Sequence, residues 1–520
     1  MLTDVLMTVL APDNLLIIVL TTIYGCFIGA VPGLTATMAV ALLVPFTFFL
    51  DPIPAISAIV ATTTTAIFAG DISGTLLRIP GTPASAAYVD DAHTISQNRK
   101  PRTALLISLS TAAIGGVIGV IILMLVAPQL AHIAISFSSY ETFWLACLGL
   151  SCAVFVGGGS VPKSFASLFI GLAIACVGID VAVGYPRYTF GVDDLMDGIT
   201  FIPAMIGIFA FSEVLRTVQT LKKNEAQLQT ITEPFFSALA GALQAIRRFA
   251  VTILRSSLIG TVVGALPGAG ADIAAWICYA LARRFSKEPN SFGKGSMDGI
   301  AAGGSANNAA ISGAWTPALV FGIPGDSVTA IAIGVLLLKG MTPGPRIFID
   351  QPELTSALFG SFLVANIMMV PVGMLAIFCS TYILKVPRAV MAPVILLFSL
   401  VGAYAISGTV TAIWIVLVLG LVGYLMAVVE IPLAPAILGI VLGKIIEDNF
   451  MVSIIKAQGD LLAFFERTYS LVLGILTLII WTLLIIRAVR EMIAGDQRER
   501  ASANSRKKDT QTSEPDVLQG

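Results

Sequence analysis

The sequence predicts an all-α polytopic membrane protein, and three observations carry that expectation. Hydrophobic residues fill 57% of the 520 positions and charged residues only 12%, whereas soluble domains are roughly half apolar and a quarter charged. Apolar stretches of roughly 17 to 25 residues, about eleven or twelve in all, recur from about residue 14 to about residue 489, each long enough for a hydrocarbon core about 30 Å thick. The few charges cluster between these stretches and sum to −1, which excludes a basic face for nucleic acid.

The opening Met1-Leu2-Thr3-Asp4 has neither a basic n-region nor a small-residue cleavage site before its apolar run. It is expected to remain as a membrane segment. Cys26, Cys147, Cys152, Cys176, Cys278 and Cys379 are scattered in apolar surroundings without a Cys-x-x-Cys pair, as small buried hydrophobes are. Basic clusters occur at Arg99, Lys100 and Arg102; at Lys222, Lys223, Arg247, Arg248 and Arg255; at Arg283, Arg284, Lys287 and Lys294; and from Arg487 to Lys508. Positive-inside bias makes these cytoplasmic. The chain thus divides into a first membrane half (1–215), a polar cytoplasmic connector (216–250), a second membrane half (251–490) and a tail (491–520). The tail holds too little apolar surface to offset ordering entropy and is expected to be disordered and cytoplasmic.

An internal repeat relates the halves. Gly25, Gly29, Pro32 and Gly33 spell Gly-x-x-x-Gly-x-x-Pro-Gly, and Gly260, Gly264, Pro267 and Gly268 spell it again. Ile79-Pro80-Gly81 is likewise echoed by Ile323-Pro324-Gly325. The first string recurs 235 positions on (32 to 267) and the second 244 (80 to 324), a difference that a small insertion explains. Each Pro-Gly interrupts an apolar run, where proline removes an amide donor and clashes with the preceding turn. Broken backbone persists in hydrocarbon only where protein, ligand or water satisfies it. Matched breaks in two halves point to a transporter site at the repeat interface, with the halves expected to be inverted. Residues 256–281 lie between two basic clusters, which predicts a re-entrant hairpin turning at Pro267-Gly268.

Polar residues near the breaks are the site candidates. Ser305, Asn307 and Asn308 lie in a small-residue run, beside expected helix breaks at Pro317 and Pro324, that serves either helix packing or cation coordination. Thr82, Asp326, Ser327 and Thr329 follow the Ile-Pro-Gly strings. Asp71, Arg78, Asp272 and Asp326 are ionisable groups at membrane depth. Arg78 either pairs with one of these aspartates or offers its planar fork to a substrate carboxylate, where broken-helix N-termini add partial positive charge.

Other chemistries find no support. Gly157-Gly158-Gly159-Ser160-Val161-Pro162-Lys163-Ser164 carries proline where a phosphate-binding loop needs glycine, and Gly268-Ala269-Gly270 is a poor dinucleotide fingerprint. An enzyme is not expected: His93 and His132 are the only histidines, and neither Ser73-Gly74 nor Ser312-Gly313 has the preceding glycine of an intramembrane serine protease. Asp90-Asp91-Ala92-His93, near Arg99 and Lys100, suits the solvated end of a hairpin better than a metal site. No cofactor or metal is expected beyond a coupling ion.

At these motifs the chain resembles the large membrane subunit (TctA family) of the tripartite tricarboxylate transporters. The resemblance rests on Pro32-Gly33, Ile79-Pro80-Gly81-Thr82-Pro83-Ala84, Ala265-Leu266-Pro267-Gly268-Ala269-Gly270-Ala271, Phe292-Gly293-Lys294-Gly295, Ser305-Ala306-Asn307-Asn308-Ala309-Ala310, Gly322-Ile323-Pro324-Gly325, and Gly340 with Pro343-Gly344-Pro345. It implies a multi-pass protein of the bacterial inner membrane that takes up a carboxylate by symport with Na+ or H+. The implied partners are a small four-helix membrane subunit and an extracytoplasmic solute-binding protein. The rival expectation is a carrier or channel for another small solute that needs no binding protein. Asp71, Arg78, Asp272 and Asp326 depart from the family's usual Gly, Asn, Thr and small polar residue, which leaves the solute open.

Overall fold

The computed structural model describes residues 8–512 apart from 33, 157–159, 181–183, 221–232, 267–269 and 385–387. Gly33, Pro267 and Gly268 therefore lie outside the described residues, as does the side chain of Asp272. Helices α1 (Pro12–Ala30), α2 (Ala36–Thr47) and α3 (Pro52–Leu77) precede a short surface helix, α4 (Val89–Gln97). Helices α5 (Pro101–Ala134), α6 (Ser139–Val156), α7 (Val161–Ala175), α8 (Phe201–Met205) and α9 (Ser212–Thr220) follow, the last two joined by a π turn at Ile206–Phe211. Next come α10 (Phe235–Arg248), α11 (Ala250–Gly264), α12 (Gly270–Phe285), α13 (Met297–Phe321), α14 (Ser327–Leu338) and α15 (Ile347–Asp350). The chain ends with α16 (Pro352–Ile383), α17 (Arg388–Ser407), α18 (Val410–Val428), α19 (Ala434–Lys456) and α20 (Thr468–Thr512).

Among the described residues, six helices are long and apolar enough to cross a bilayer: α1, α3, α5, α16, α18, and α20 over Thr468–Ile493. Helices α10 and α11 form an apolar pair bent by 72°, and α2, α7, α14 and the Ala392–Ser407 part of α17 are shorter apolar helices. The protein is an all-α polytopic membrane protein. Its apolar segments differ in kind because only some are long enough to span.

The glycine strings are where helices pack backbone to backbone. In α1, a Cβ on Gly25 would lie 2.7 Å from the Thr62 carbonyl of α3, and one on Gly29 would collide with Ala66. In α11, a Cβ on Gly260 would lie 2.6 Å from the Ala306 carbonyl of α13, and one on Gly264 would collide with Ala310. The glycines recur 235 positions on (25 to 260, 29 to 264) and their partners 244 (62 to 306, 66 to 310), the two offsets of the sequence repeat. Small residues permit this close approach, which van der Waals packing rewards in a membrane.

Both strings also end in chain reversals. The Tyr24 hydroxyl donates to Ala39 O at 3.0 Å, tying α1 to α2 across Pro32. The Cys278 thiol lies 3.5 Å from Ser256 O, tying α12 to α11. Helices of 15 and 16 residues, about 22 and 24 Å at 1.5 Å per residue, are too short to cross separately, and they fold as a hairpin.

Helix directions follow from side-chain register. Ser57 meets Ser361 at 2.7 Å and Phe68 lies at Gly373, so α3 and α16 run the same way. Gly115 lies on Ser305 and Gly119 on Ala309, so α5 and α13 also run together. Gly116 faces Asn366 while Leu109 faces Gly373, so α5 and α16 run in opposite directions. It follows that α3 and α13 are antiparallel. Farther out, α19 packs on α6 and α7, whereas α17 and α18 pack on the π turn and α9.

The basic clusters gather on one face. Arg248 pairs with Glu288 at 3.2 Å. Asp91 accepts from the Gly295 and Ser296 amides, both at 2.8 Å, and from Tyr279 at 2.7 Å. Asp91 is therefore fully buried, correcting the reading of Asp90-Asp91-Ala92-His93 as wholly solvated. On the opposite face Lys339 donates to Phe48 O at 2.9 Å and Leu50 O at 2.6 Å.

Three further expectations are corrected. The connector's second part is the amphipathic helix α10, whose Ala238, Ala242 and Ala245 are buried against the bundle, most closely against α5. Apolar residues at i, i+4 and i+7 give it a packing face that overall polarity conceals. Pro317 does not break α13, which continues to Phe321 and closes at Gly322 (φ 68°) with Ile323 N donating to Pro317 O at 3.2 Å. Helix α20 runs on to Thr512, so the tail is helical to that point; Ala, Arg, Gln, Glu and Lys are good helix formers.

Candidate functional site

Each Ile-Pro-Gly turn folds back onto its own core helix. Gly81 lies against Gly70 on α3, and a Cβ on Gly325 would sit 2.7 Å from Ala314 Cα on α13. These pairs again differ by 244 (70 to 314, 81 to 325). The residues entering the turns match too: Arg78 (φ 58°) ends α3 and Gly322 (φ 68°) ends α13, both left-handed.

Past the second turn, Asp326 caps α14. Its carboxylate accepts from Thr329 N at 2.7 Å and Thr329 Oγ1 at 2.8 Å, and Asp326 N donates back to Thr329 Oγ1 at 2.9 Å. Ser327 touches Thr37 of α2 at 3.0 Å between hydroxyls. Gly270, at the start of α12, faces Asp326, since its Cβ would stand 3.4 Å from Asp326 Cβ. Residues beyond three of the four breaks, Thr37, Gly270 and Asp326-Ser327, thus meet. The N-termini of α2 and α14 bring backbone amides to this meeting point, a setting that suits an anion, while Asp326 neutralises part of that field.

The first turn carries a second polar cluster. Tyr88 O–H lies 3.0 Å from both Asp71 carboxylate oxygens, and the Ser108 hydroxyl donates to Asp71 Oδ2. The Tyr88 ring also packs on Gly303 of α13, one turn before Asn307, where even a Cβ would collide with it. Asn307 Oδ1 has no partner among the described residues. The Asp71 carboxylate of α3 therefore gathers Ser108 from α5 and Tyr88, whose ring lies against α13.

The remaining candidates are placed differently. Arg78 pairs with Asp90 at 2.8 Å on the basic surface, its side chain 63% exposed, and with neither Asp71 nor Asp326. The left-handed cap turns its side chain outward, so it does not face a cavity. Thr82 and Ser85 cap the turn reciprocally, at 3.2 and 3.1 Å. Ser305 bonds back to Ala301 O at 2.7 Å, a packing role. Asn308 turns from Asn307 to donate to Met369 Sδ at 3.6 Å, leaving Oδ1 without a partner among the described residues.

Tyr88, Ser108 and Thr37 had no signal in the sequence, because isolated hydroxyls are common in membrane helices and only the fold brings these to the breaks. A cavity of about 500 Å³ opens on the face opposite the basic clusters, between Ala134, Thr142, Val320, Arg346 and Gln351. The Pro343-Gly344-Pro345 motif also lines it, and Gly322 packs on Pro343. It therefore lies directly beside the Ile323-Pro324-Gly325 turn. No group of three or more His, Cys, Asp or Glu suited to a metal occurs among the described residues.

Two similar proteins come from Agrobacterium vitis. One, "Uncharacterized 52.8 kDa protein in TAR-I ttuC' 3'region", is 29% identical over 493 residues, covering 94% of this chain and 96% of its own length. The other, "Uncharacterized protein in TAR-II ttuC' 3'region", is 32% identical over 237 residues, covering 45% of this chain and 98% of its own. No solved structure matches the chain. The family model described as "Tripartite tricarboxylate transporter TctA family" matches residues 15–438, a span that holds both glycine strings and both Ile-Pro-Gly turns. The chain belongs to the tripartite tricarboxylate transporter TctA family.

Proposed function

We propose that this chain is the permease subunit of a binding-protein-dependent carrier in a bacterial inner membrane, and that it takes up a carboxylate by symport with an ion. The observation that carries the reading is the Thr37–Ser327 contact beside Gly270 and Asp326, where segments from both halves of the chain meet at their breaks. The halves act as inverted repeats. Support comes from matched core helices α3 and α13 running in opposite directions and from the repeated offsets of their glycine contacts. Hairpin α1–α2 then opens away from the basic face and hairpin α11–α12 toward it. Such symmetry lets one site reach each side in turn.

With the basic face cytoplasmic, the cavity beside Arg346 opens outward and receives the solute. A soluble binding protein delivers the carboxylate there, and a small four-helix subunit completes the membrane complex. Residues beyond the breaks, Asp326, Ser327, Thr329 and Thr37, hold the solute.

Uptake of radiolabelled citrate and a panel of dicarboxylates into cells expressing the intact system tests this reading. Accumulation that requires the binding protein and collapses with an ionophore is expected. Undiminished uptake without any binding protein favours the self-sufficient carrier, and no carboxylate uptake in a correctly assembled system contradicts the proposal.

A further inference from the structure

We propose that Asp71 is the proton site of this transporter, binding the coupling proton on its carboxyl with Tyr88 and Ser108 as partners. This deepens the uptake reading above by choosing the ion, and it rests on that reading.

Asp71 is buried, with 4% of its surface exposed. Its hydrogen-bond partners are neutral hydroxyls, Tyr88 at 3.0 Å to each oxygen and Ser108 on Oδ2. Among the described residues no Lys, Arg or His pairs with it, and Arg78, seven positions along, is held outside by Asp90. A lone carboxylate away from water is strongly disfavoured, so such a group takes up a proton or finds a cation. Sodium needs several lone pairs and room for the ion. Here both hydroxyls point their hydrogens at the carboxylate, and the Tyr88 ring fills the space above Gly303, where even a Cβ would collide with it. A proton needs no volume.

The groups around Asp71 are few. From its own side of the turn come Tyr88 and, toward the basic face, His93, whose Nδ1 lies 3.0 Å from Thr75 O, four positions along α3 from Asp71. Asp90 is paired with Arg78, and Asp91 with Tyr279 and two amides. Helix α5 contributes Ser108, α13 lies against the Tyr88 ring at Gly303, and α1 and α16 line the same core with Cys26 and Met369. His93 is thus the titratable group between the buried carboxyl and the basic surface. The site joins both halves of the chain, so a movement of α13 against α3 and α5 changes the surroundings of the bound proton. Protonation turns the carboxylate into a carboxylic acid, and release to the opposite side restores it; no other bond changes.

Infrared difference spectra of the purified full-length protein, recorded across a pH titration, test the site directly. A protonated-carboxyl band that titrates, disappears in Asp71→Asn and shifts in Tyr88→Phe is expected. A titration unchanged in Asp71→Asn overturns the proposal. In membrane vesicles carrying the whole system, Asp71→Asn is expected to keep citrate exchange while accumulation driven by a pH gradient falls to simple equilibration. Loss of exchange as well, in protein that remains monodisperse in detergent, overturns the proton role in favour of a structural one. Accumulation driven by sodium at constant pH and abolished in Asp71→Asn also overturns it. A titrating Asp71 band in a system that moves no carboxylate leaves the proton site standing and refutes the uptake reading instead.

Discussion

Arg78 and Gly322 stand at matched positions and do the same backbone work, ending a core helix in the left-handed region before Ile-Pro-Gly. For arginine that conformation costs on the order of 1–3 kcal/mol, and its exposed pair with Asp90 returns roughly 0–1 kcal/mol. Arg78→Gly is therefore expected to leave the protein as stable or slightly more so, with transport intact. A double-mutant cycle with Asp90 in thermal unfolding should give a coupling of at most about 1 kcal/mol, and coupling to Asp71 instead would contradict the placement. Sequence marked Arg78 as an ionisable group at membrane depth, but depth alone does not tell which way a side chain leaves a helix end. Asp71 and Asn307 were legible as unusual polar residues. Tyr88, which donates to Asp71 and packs on α13, was not, because nothing in local sequence ties it to either helix.

Helices in this protein are set against one another by glycine. Gly29 on Ala66 and Gly264 on Ala310 each leave no space for a side chain, so Gly29→Val and Gly264→Val should each separate a hairpin arm from its core helix. Each is expected to destabilise by about 1–3 kcal/mol, the usual cost of overpacking, read as a fall in melting temperature in detergent. Gly241→Ala is the control: its Cβ would rest at an ordinary 3.4 Å from Thr103, and alanine adds helix propensity of roughly 0.5–1 kcal/mol. At this scale the sequence was most informative. Pro-Gly inside an apolar run announces a break on local sterics alone, and the repeated spacing announced that the breaks correspond. Helix α10 and the helical part of the tail were missed for the opposite reason, since average polarity hides a one-sided apolar stripe and the propensity of charged helix formers.

Two antiparallel core helices, each clasped by its own hairpin and its own Ile-Pro-Gly turn, organise the whole molecule. The long helices that follow the turns, α5 and α16, pack on the core helix of the other half, α13 and α3 respectively, so neither half is closed without the other. That exchange was not legible, because the sequence shows that two segments resemble each other but not which neighbours they choose. Its consequence is that motion between the halves passes through the place where their breaks meet. The contact between Thr37 and Ser327, 3.0 Å between hydroxyls, tests this most directly when both are replaced by cysteine in a chain otherwise free of the native cysteines. Oxidation is expected to join the two and stop carboxylate uptake, and reduction to restore it. Full uptake by completely cross-linked protein would contradict the account.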